Sequence, residues 1–322
     1  MTNWRPASGP QAAVSRAAIM RRVREYFLAE GVLEVDTPAL SPFAVSDVQI
    51  ESLSVTESTI GGQPLYLHTS PEFCMKRLLA AGYPDIFSIC RVFRDGEAGL
   101  KHQPEFTMIE WYRLGMSLTE IINDTVLLIN QALADKSPEP EPLVIDYFDA
   151  MRECCGTTVQ AMDCATIADA VNADQELRVA VGDEIDDWLD LALATRVIPS
   201  FATDRLTVLR HYPASQAALA RLCPENPAVA DRFEVFLGPV ELANGYVELT
   251  DAAELEARFA RDNESRARRG RTIRPIDKDL LAALDEGLPA CAGVAMGFER
   301  LQLLHDKTDD IRDVVTFVSE IS

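Results

Sequence analysis

An α+β fold, with an antiparallel or mixed β-sheet flanked by helices, is what this 322-residue chain predicts. Two observations carry that expectation. Apolar stretches of strand length come in pairs, 86–94 with 106–112 and 233–237 with 240–249, and strands joined directly by a turn or loop pair antiparallel. Helical periodicities fall at irregular intervals between these pairs, which argues against a doubly wound parallel sheet.

The elements follow in order. Residues 1–15 read as a flexible leader, and 16–322 as one large domain. From Arg16 to Glu30 the apolar Ile19, Val23 and Phe27 recur every fourth residue, an amphipathic helix closed by Gly31. Val32–Pro38 is extended, and Leu65–His68 is a strand. Ser70 caps a helix with Pro71 at its first position, ending at Gly82. Ile86–Arg94 and the alternating run 106–112 make a hairpin around a long polar loop, Asp95–Pro104. Ser117-x-x-Glu120 is a capping box that opens a helix to about Asp135. Lys136–Pro142 is low in complexity and reads as an exposed connection. Residues 146–200 carry acidic helical patterns without a recognisable chemical motif. Strands at 233–237 and 240–249 flank a turn at Gly238-Pro239; Asp251 and Asp277 cap helices, the second ending at Gly287. A small-residue strand, 294–297, then feeds a helix at 298–304.

Acidic residues outnumber basic ones 51 to 30, a formal charge of −21. Proteins that draw affinity from nucleic-acid phosphates carry a basic face, so tRNA is disfavoured as the main partner. The seven cysteines are odd in number and lack CxxC or His/Cys spacing, which disfavours a disulfide framework or zinc site. No run approaches the roughly 18 apolar residues of a membrane span, and no signal-peptide core follows Met1, so a soluble cytoplasmic protein is expected.

Glu234, Glu241 and Glu248 stand seven apart. On one straight strand they would alternate faces. A fold back at Gly238-Pro239 sets Phe236 against Glu241 and puts Glu234 on the same face as Glu241. A further irregularity, with Asn244-Gly245 a suitable place, is needed to bring Glu248 round. Clustered carboxylates call for cations, such as magnesium with a polyphosphate and a cationic substrate group; three unrelated glutamates on an exposed hairpin are the plain alternative. Arg94 ends a strand facing the polar loop, and Arg300 lies on the last helix. Either fork suits phosphate and carboxylate oxygens, although a surface salt bridge is the commoner use. With no GxxxxGK[ST] and no GxGxxG present, any nucleotide must be held by side chains.

The string FRDGEAGLKHQPEFTMIEWYR (93–113) resembles motif 2 of the lysine-type class II aminoacyl-tRNA synthetases. VELANGYVELTD (240–251) resembles their metal-binding strand, GVAMGFER (293–300) their motif 3, and RRVREYFLAEGVLEVDTP (21–38) the dimer-forming motif 1. The resemblance implies a class II catalytic fold, a homodimer, and bent ATP with Mg2+. By matching position, Arg94 would hold the α-phosphate and the substrate carboxylate, and Phe106 with Arg300 would sandwich the adenine. Asp95, Gly96, Glu97, His102, Gln103, Leu242 and Gly297 fall at ATP-contacting positions, and Glu234 and Glu241 match metal ligands. Ser70, Pro71, Glu72, Tyr112, Asn244, Glu248 and Ala295 line the position of the amino acid, with Glu72 and Glu248 each receiving one ammonium. Arg94, Arg300 and Glu241 are the expected catalytic set.

Two features differ from lysyl-tRNA synthetases. Motif 1 starts near residue 16, without a preceding anticodon-binding OB-fold, and Ala295-Met-Gly297 replaces Gly-x-Gly. Both, with HYPASQAALA (211–220), are similar to the elongation factor P–lysine lysyltransferase family, also called EpmA, PoxA or GenX. That resemblance implies adenylation of (R)-β-lysine, or lysine, and acyl transfer to a lysine of elongation factor P. A truncated synthetase charging tRNA-Lys and a catalytically silent lysine sensor are the alternatives. Gly96 stands where the family commonly has Glu: either Glu97 serves, or the adenine contact is lost.

Overall fold

The computed structural model describes residues 4–57, 64–136, 139–156 and 163–318. In chain order it contains α1 (Pro10–Ala29), β1 (Leu33–Glu34), β2 (Leu40–Ser41), β3 (Ser54–Val55), β4 (Leu65–Leu67), α2 (Glu72–Ala80), β5 (Ile86–Phe93), β6 (Glu105–Leu114) and α3 (Leu118–Leu133). Next come β7 (Glu139–Asp146), α4 (Tyr147–Cys155), α5 (Cys164–Ala170), α6 (Gln175–Val181), α7 (Ile185–Ala192), β8 (Arg205–Arg210), β9 (Leu222–Cys223), β10 (Asn226–Ala230), β11 (Arg232–Leu237) and β12 (Val240–Val247). The chain closes with α8 (Ala252–Arg268), α9 (Lys278–Gly287), β13 (Cys291–Gly297) and α10 (Phe298–Asp306). No described helix is long and apolar enough to cross a membrane.

The chain divides into two compact units, 1–136 with 247–322, and 137–246. In the first, β1 runs parallel to β5, while β5–β6 and β6–β13 are antiparallel. Phe27 of α1 stacks on Phe87 at 4.2 Å and meets Trp111 at 5.6 Å, tying the helix to the sheet. Buried Asp124 of α3 accepts from Tyr26 Oη at 2.7 Å and Trp111 Nε1 at 2.9 Å, so its burial is compensated. In the second unit, β12–β11 and β11–β8 are antiparallel, and β8 pairs in parallel with β7. The acidic stretch makes α4–α7 around its own core of Tyr147, Met151, Trp188, Leu189, Leu209 and Phe236. Antiparallel pairing thus dominates both units, as expected.

Several boundaries differ from the sequence reading. The first helix begins at Pro10 rather than after residue 15, because proline is preorganised for the first helical turn. Pro71 is the N-cap of α2, and Ser70 Oγ still accepts from Glu72 N at 3.0 Å. Residues 137–138 of the expected connection lie outside the described residues. From Glu139 the chain is strand β7, with a register shift between Glu139 and Leu143 that spans Pro140 and Pro142. The capping box at Ser117–Glu120 and the caps at Asp251 and Asp277 are present.

Candidate active site

In the first unit the alternation of β6 sends Phe106, Met108, Glu110 and Tyr112 to one face. Pairing aligns Gly297, Ala295 and Gly293 of β13 with Met108, Glu110 and Tyr112, so small residues sit beside large ones. Glu110 is 2% exposed, and accepts from Ser70 Oγ at 2.6 Å and Tyr112 Oη at 2.8 Å. Glu248, also 2% exposed, is anchored by its backbone N–H to Cys291 O at 3.0 Å. Lys76, one helical turn after Glu72, places Nζ 2.7 Å from Glu72 Oε1 and 2.5 Å from Glu248 Oε2. The Lys76 ammonium thus holds Glu248 through Oε2.

Burial pushes the Glu110 carboxyl up to about 8, assisted by the negative charge of Glu72. Burial likewise pushes Glu248 up to about 8, with Lys76 opposing and Glu72 assisting. Burial alone would lower the Lys76 ammonium, but Glu248 and Glu72 outweigh it and raise its pKa. The sequence reading missed Glu110 and Lys76. An acid inside a buried alternating run, and a lysine four residues after a pocket acid, were the available signals.

The polar loop begins where Arg94 N bonds Pro104 O at 2.8 Å and closes further at a Gly99–His102 bridge. Gly96 has φ +79°, a left-handed conformation that a glutamate would adopt only under strain. Glu97 instead reaches back to Arg94, Oε1 to Nη1 at 3.6 Å. The Arg94 guanidinium stands 5.2 Å from the Phe106 ring centre, and its buried Nε has no acceptor among the described residues. Arg300 lies in the first turn of α10, after Gly297 as N-cap, with Nη2 2.7 Å from His102 Nε2. Gln103 follows His102 on this loop, and Asp95 N bonds Glu51 O at 2.8 Å. The Arg94 fork thus meets an aromatic face, and the Arg300 fork meets the polar loop at His102.

In the second unit, the turn at Gly238-Pro239 forms with Gly238 at φ +54°, and Phe236 does pair with Glu241. The irregularity sits at Leu242 rather than Asn244-Gly245. Val235 pairs with Ala243 and Phe236 with Glu241, so Leu242 is the extra residue, 1% exposed. That insertion brings Glu241 into phase with Asn244, which pairs with Glu234. Burial raises the Glu234 pKa, and Glu241 raises it further against the opposing Arg232, 2.6 Å from Glu234. Two adjoining carboxylates offer the hard oxygen donors that magnesium takes, so Glu234 and Glu241 are the residues that would hold such an ion. Arg232 also donates to Asn244 Oδ1 at 3.3 Å. Elsewhere in this unit, His211, Cys223 and Asp231 lie within 4.8 Å of one another. Asp231 is already paired to Arg221 and His211 to Asp146, and Asp146 also binds Arg210. All seven cysteines are free thiols.

Residues 4–320 match the family model of tRNA synthetases class II (D, K and N). The chain is 41% identical over 322 residues to "Elongation factor P--(R)-beta-lysine ligase" of Sodalis glossinidius (strain morsitans), covering 99% of this chain and 98% of that protein. A relative of the same name from Photorhabdus laumondii is 41% identical over 326 residues, covering 98% of this chain and 97% of that one. Another, from Mannheimia succiniciproducens, is 42% identical over 318 residues, again covering 98% and 97%. The chain belongs to the class II tRNA synthetases of the D, K and N type, within the branch of elongation factor P–(R)-β-lysine ligases.

Proposed function

We propose that this chain is a ligase that activates (R)-β-lysine, or lysine, with ATP as an aminoacyl-adenylate and transfers the acyl group to a lysine side chain of elongation factor P. The observation that carries this reading is the cluster of half-buried Glu72 with buried Glu110 and Glu248 around the Lys76 ammonium. Such a cluster of acids suits a diamino acid, which brings two ammonium groups. Ser70 and Tyr112 donate to Glu110, and Ala295 pairs with Glu110 across the strands.

In the proposed first step the substrate carboxylate attacks the α-phosphorus and pyrophosphate leaves. Arg94 lies between the two anions and offsets their repulsion. Phe106 and Arg300 receive the adenine, and the loop residues Asp95–Glu97, His102 and Gln103 close over ATP. Glu234 and Glu241 would hold magnesium, which would supply positive charge when bound. In the second step the acceptor lysine must be neutral at its nitrogen, which forms the amide bond as AMP departs.

The chain is further proposed to act as a homodimer through α1, on which Val14 and Leu28 are exposed. Incubation with ATP, (R)-β-lysine and elongation factor P, followed by intact-mass measurement, tests the central reading. The factor is expected to gain one β-lysyl group. Charging of tRNA-Lys with no mass gain on the factor would replace this reading with the tRNA one.

A further inference from the structure

We propose that His211, Cys223, Glu225 and Asp231 form a zinc site that ties the β9–β10 hairpin of the second unit to the ends of β8 and β11. A ring nitrogen of His211, Cys223 Sγ and a carboxylate oxygen of Asp231 lie within 4.8 Å of one another. Cys223 Sγ also stands 3.3 Å from Glu225 Oε2. Around a tetrahedral zinc, bonds of about 2.0–2.3 Å put neighbouring donor atoms about 3.3–3.7 Å apart. The Cys223–Glu225 edge already has that length, and the other edges need to close by no more than about 1.5 Å. His211 follows β8, Cys223 is in β9, Glu225 is in the hairpin turn and Asp231 precedes β11, so no short spacing in the sequence announces the set.

The residues around these donors hold them as outer partners hold metal ligands. Cys223 and Asp231 are buried, while Glu225 is exposed and gives an ion a way in. Asp146 accepts from His211 Nδ1 at 2.8 Å, the carboxylate–histidine contact that fixes a ligand ring and leaves Nε2 for the metal. Arg210 Nε, also 2.8 Å away, holds Asp146 in turn. Arg221 Nε donates to Asp231 Oδ2 at 2.8 Å, which orients that carboxylate and leaves Oδ1 as the donor. Thiolate, imidazole and carboxylate together suit zinc, whereas magnesium takes oxygen donors, so this set differs in kind from Glu234 and Glu241. On binding, a Zn–S bond replaces the S–H bond of Cys223 and the proton leaves to solvent.

The test is titration of the full chain, without an affinity tag, with Co2+ and then Zn2+, followed by absorption. A thiolate–cobalt bond gives a near-ultraviolet charge-transfer band that oxygen-only sites lack. Wild type is expected to bind one Co2+ with that band, and Zn2+ to displace it and raise Tm. Cys223→Ser is expected to abolish the band. His211→Asn keeps a residue suited to the left-handed backbone at φ 57° while removing the imidazole. It and Asp231→Asn are each expected to weaken Co2+ binding about tenfold or more. Should Cys223→Ser fail to fold, Glu225→Gln, at an exposed position, decides, with about tenfold weaker Co2+ binding expected. No band in wild type, a band that survives Cys223→Ser, or, where that variant does not fold, an affinity unchanged in Glu225→Gln would overturn the proposal.

Discussion

Gly293→Ala is the most direct probe of the pocket. Residue 293 pairs with Tyr112 across β13 and β6, and its backbone is not in the left-handed region, so alanine brings no conformational strain. The added methyl would meet Glu248 Oε1 and the Tyr112 ring, both nearer than real Cβ contacts allow. Neither neighbour can yield freely, since Tyr112 and Glu248 are each 2% exposed. Overpacking of this kind costs about 1–3 kcal/mol. Part of that is relieved by pushing Glu248 off the position where it meets Lys76 at 2.5 Å. Each 1.4 kcal/mol that falls on substrate binding is about tenfold in affinity. The expected outcome is a rise of about tenfold or more in diamino-acid KM, an ATP KM near wild type, and a modest loss of Tm. Thermal denaturation with pyrophosphate-exchange kinetics measures all three. A Gly293→Ala protein with unchanged Tm and unchanged diamino-acid KM would refute the packing argument and the assignment of Glu248 to the pocket.

Ala295→Gly, opposite Glu110, removes a methyl from the pocket floor and is expected to relax discrimination between α- and β-lysine by about 1–3 kcal/mol at most; competition assays with the two isomers check it. Glu110 and Glu248 are both pushed up to about 8, so the folded protein binds protons that the unfolded chain releases near the ordinary carboxylate range. Ligand-free stability is therefore expected to fall as pH rises from about 4.5 through 8, while the Tm increase produced by (R)-β-lysine grows over that window. Glu72, Lys76, Cys90, Tyr112 and Cys291 are among the titratable groups facing this pair, and scanning calorimetry across pH reads the result. Glu241→Gln is expected to raise the magnesium needed for half-maximal exchange by roughly an order of magnitude or more, measured by magnesium titration. Arg266, fully buried, bonds both oxygens of Glu51 at 2.7 and 2.8 Å and the carbonyls of Asp47 and Thr272. Arg266→Met is expected to cost about 1–3 kcal/mol in urea denaturation, because the carbonyls of Asp47 and Thr272 lose their donor while Glu51 keeps Arg271 and Arg274.

Strand pairing was legible in the chain because it follows from local rules. Gly238-Pro239 forces a reversal, and the Phe236–Glu241 pair follows by counting back from it. The bulge was placed wrongly for the same reason: Asn244-Gly245 is where the backbone tolerates one, whereas the structure spends the extra residue at Leu242. Burial of that side chain, a tertiary effect, outweighs local tolerance there. Glu110 and Lys76 were hidden in another way. A lone charge in an apolar run, or on a helix that also carries Arg77, reads as solvated until the fold shows it buried. The backbone at Gly96 also needed coordinates, since its positive φ disfavours a glutamate at that position.

The face shared by β6 and β13 gives these observations one physical cause. Bulky or polar Met108, Glu110 and Tyr112 on one strand require Gly297, Ala295 and Gly293 beside them, because directly opposed side chains point the same way and compete for volume. The small strand thus sets the depth of the pocket, while charge sets its occupant. Changing residue 295 should alter which isomer fits; changing Lys76 should alter whether a dication binds at all. Residue 295 lies on β13 and Lys76 on α2, so the two substitutions should combine additively in binding energy. Strong coupling between Ala295→Gly and Lys76→Arg in a double-mutant cycle would show instead that one element governs both.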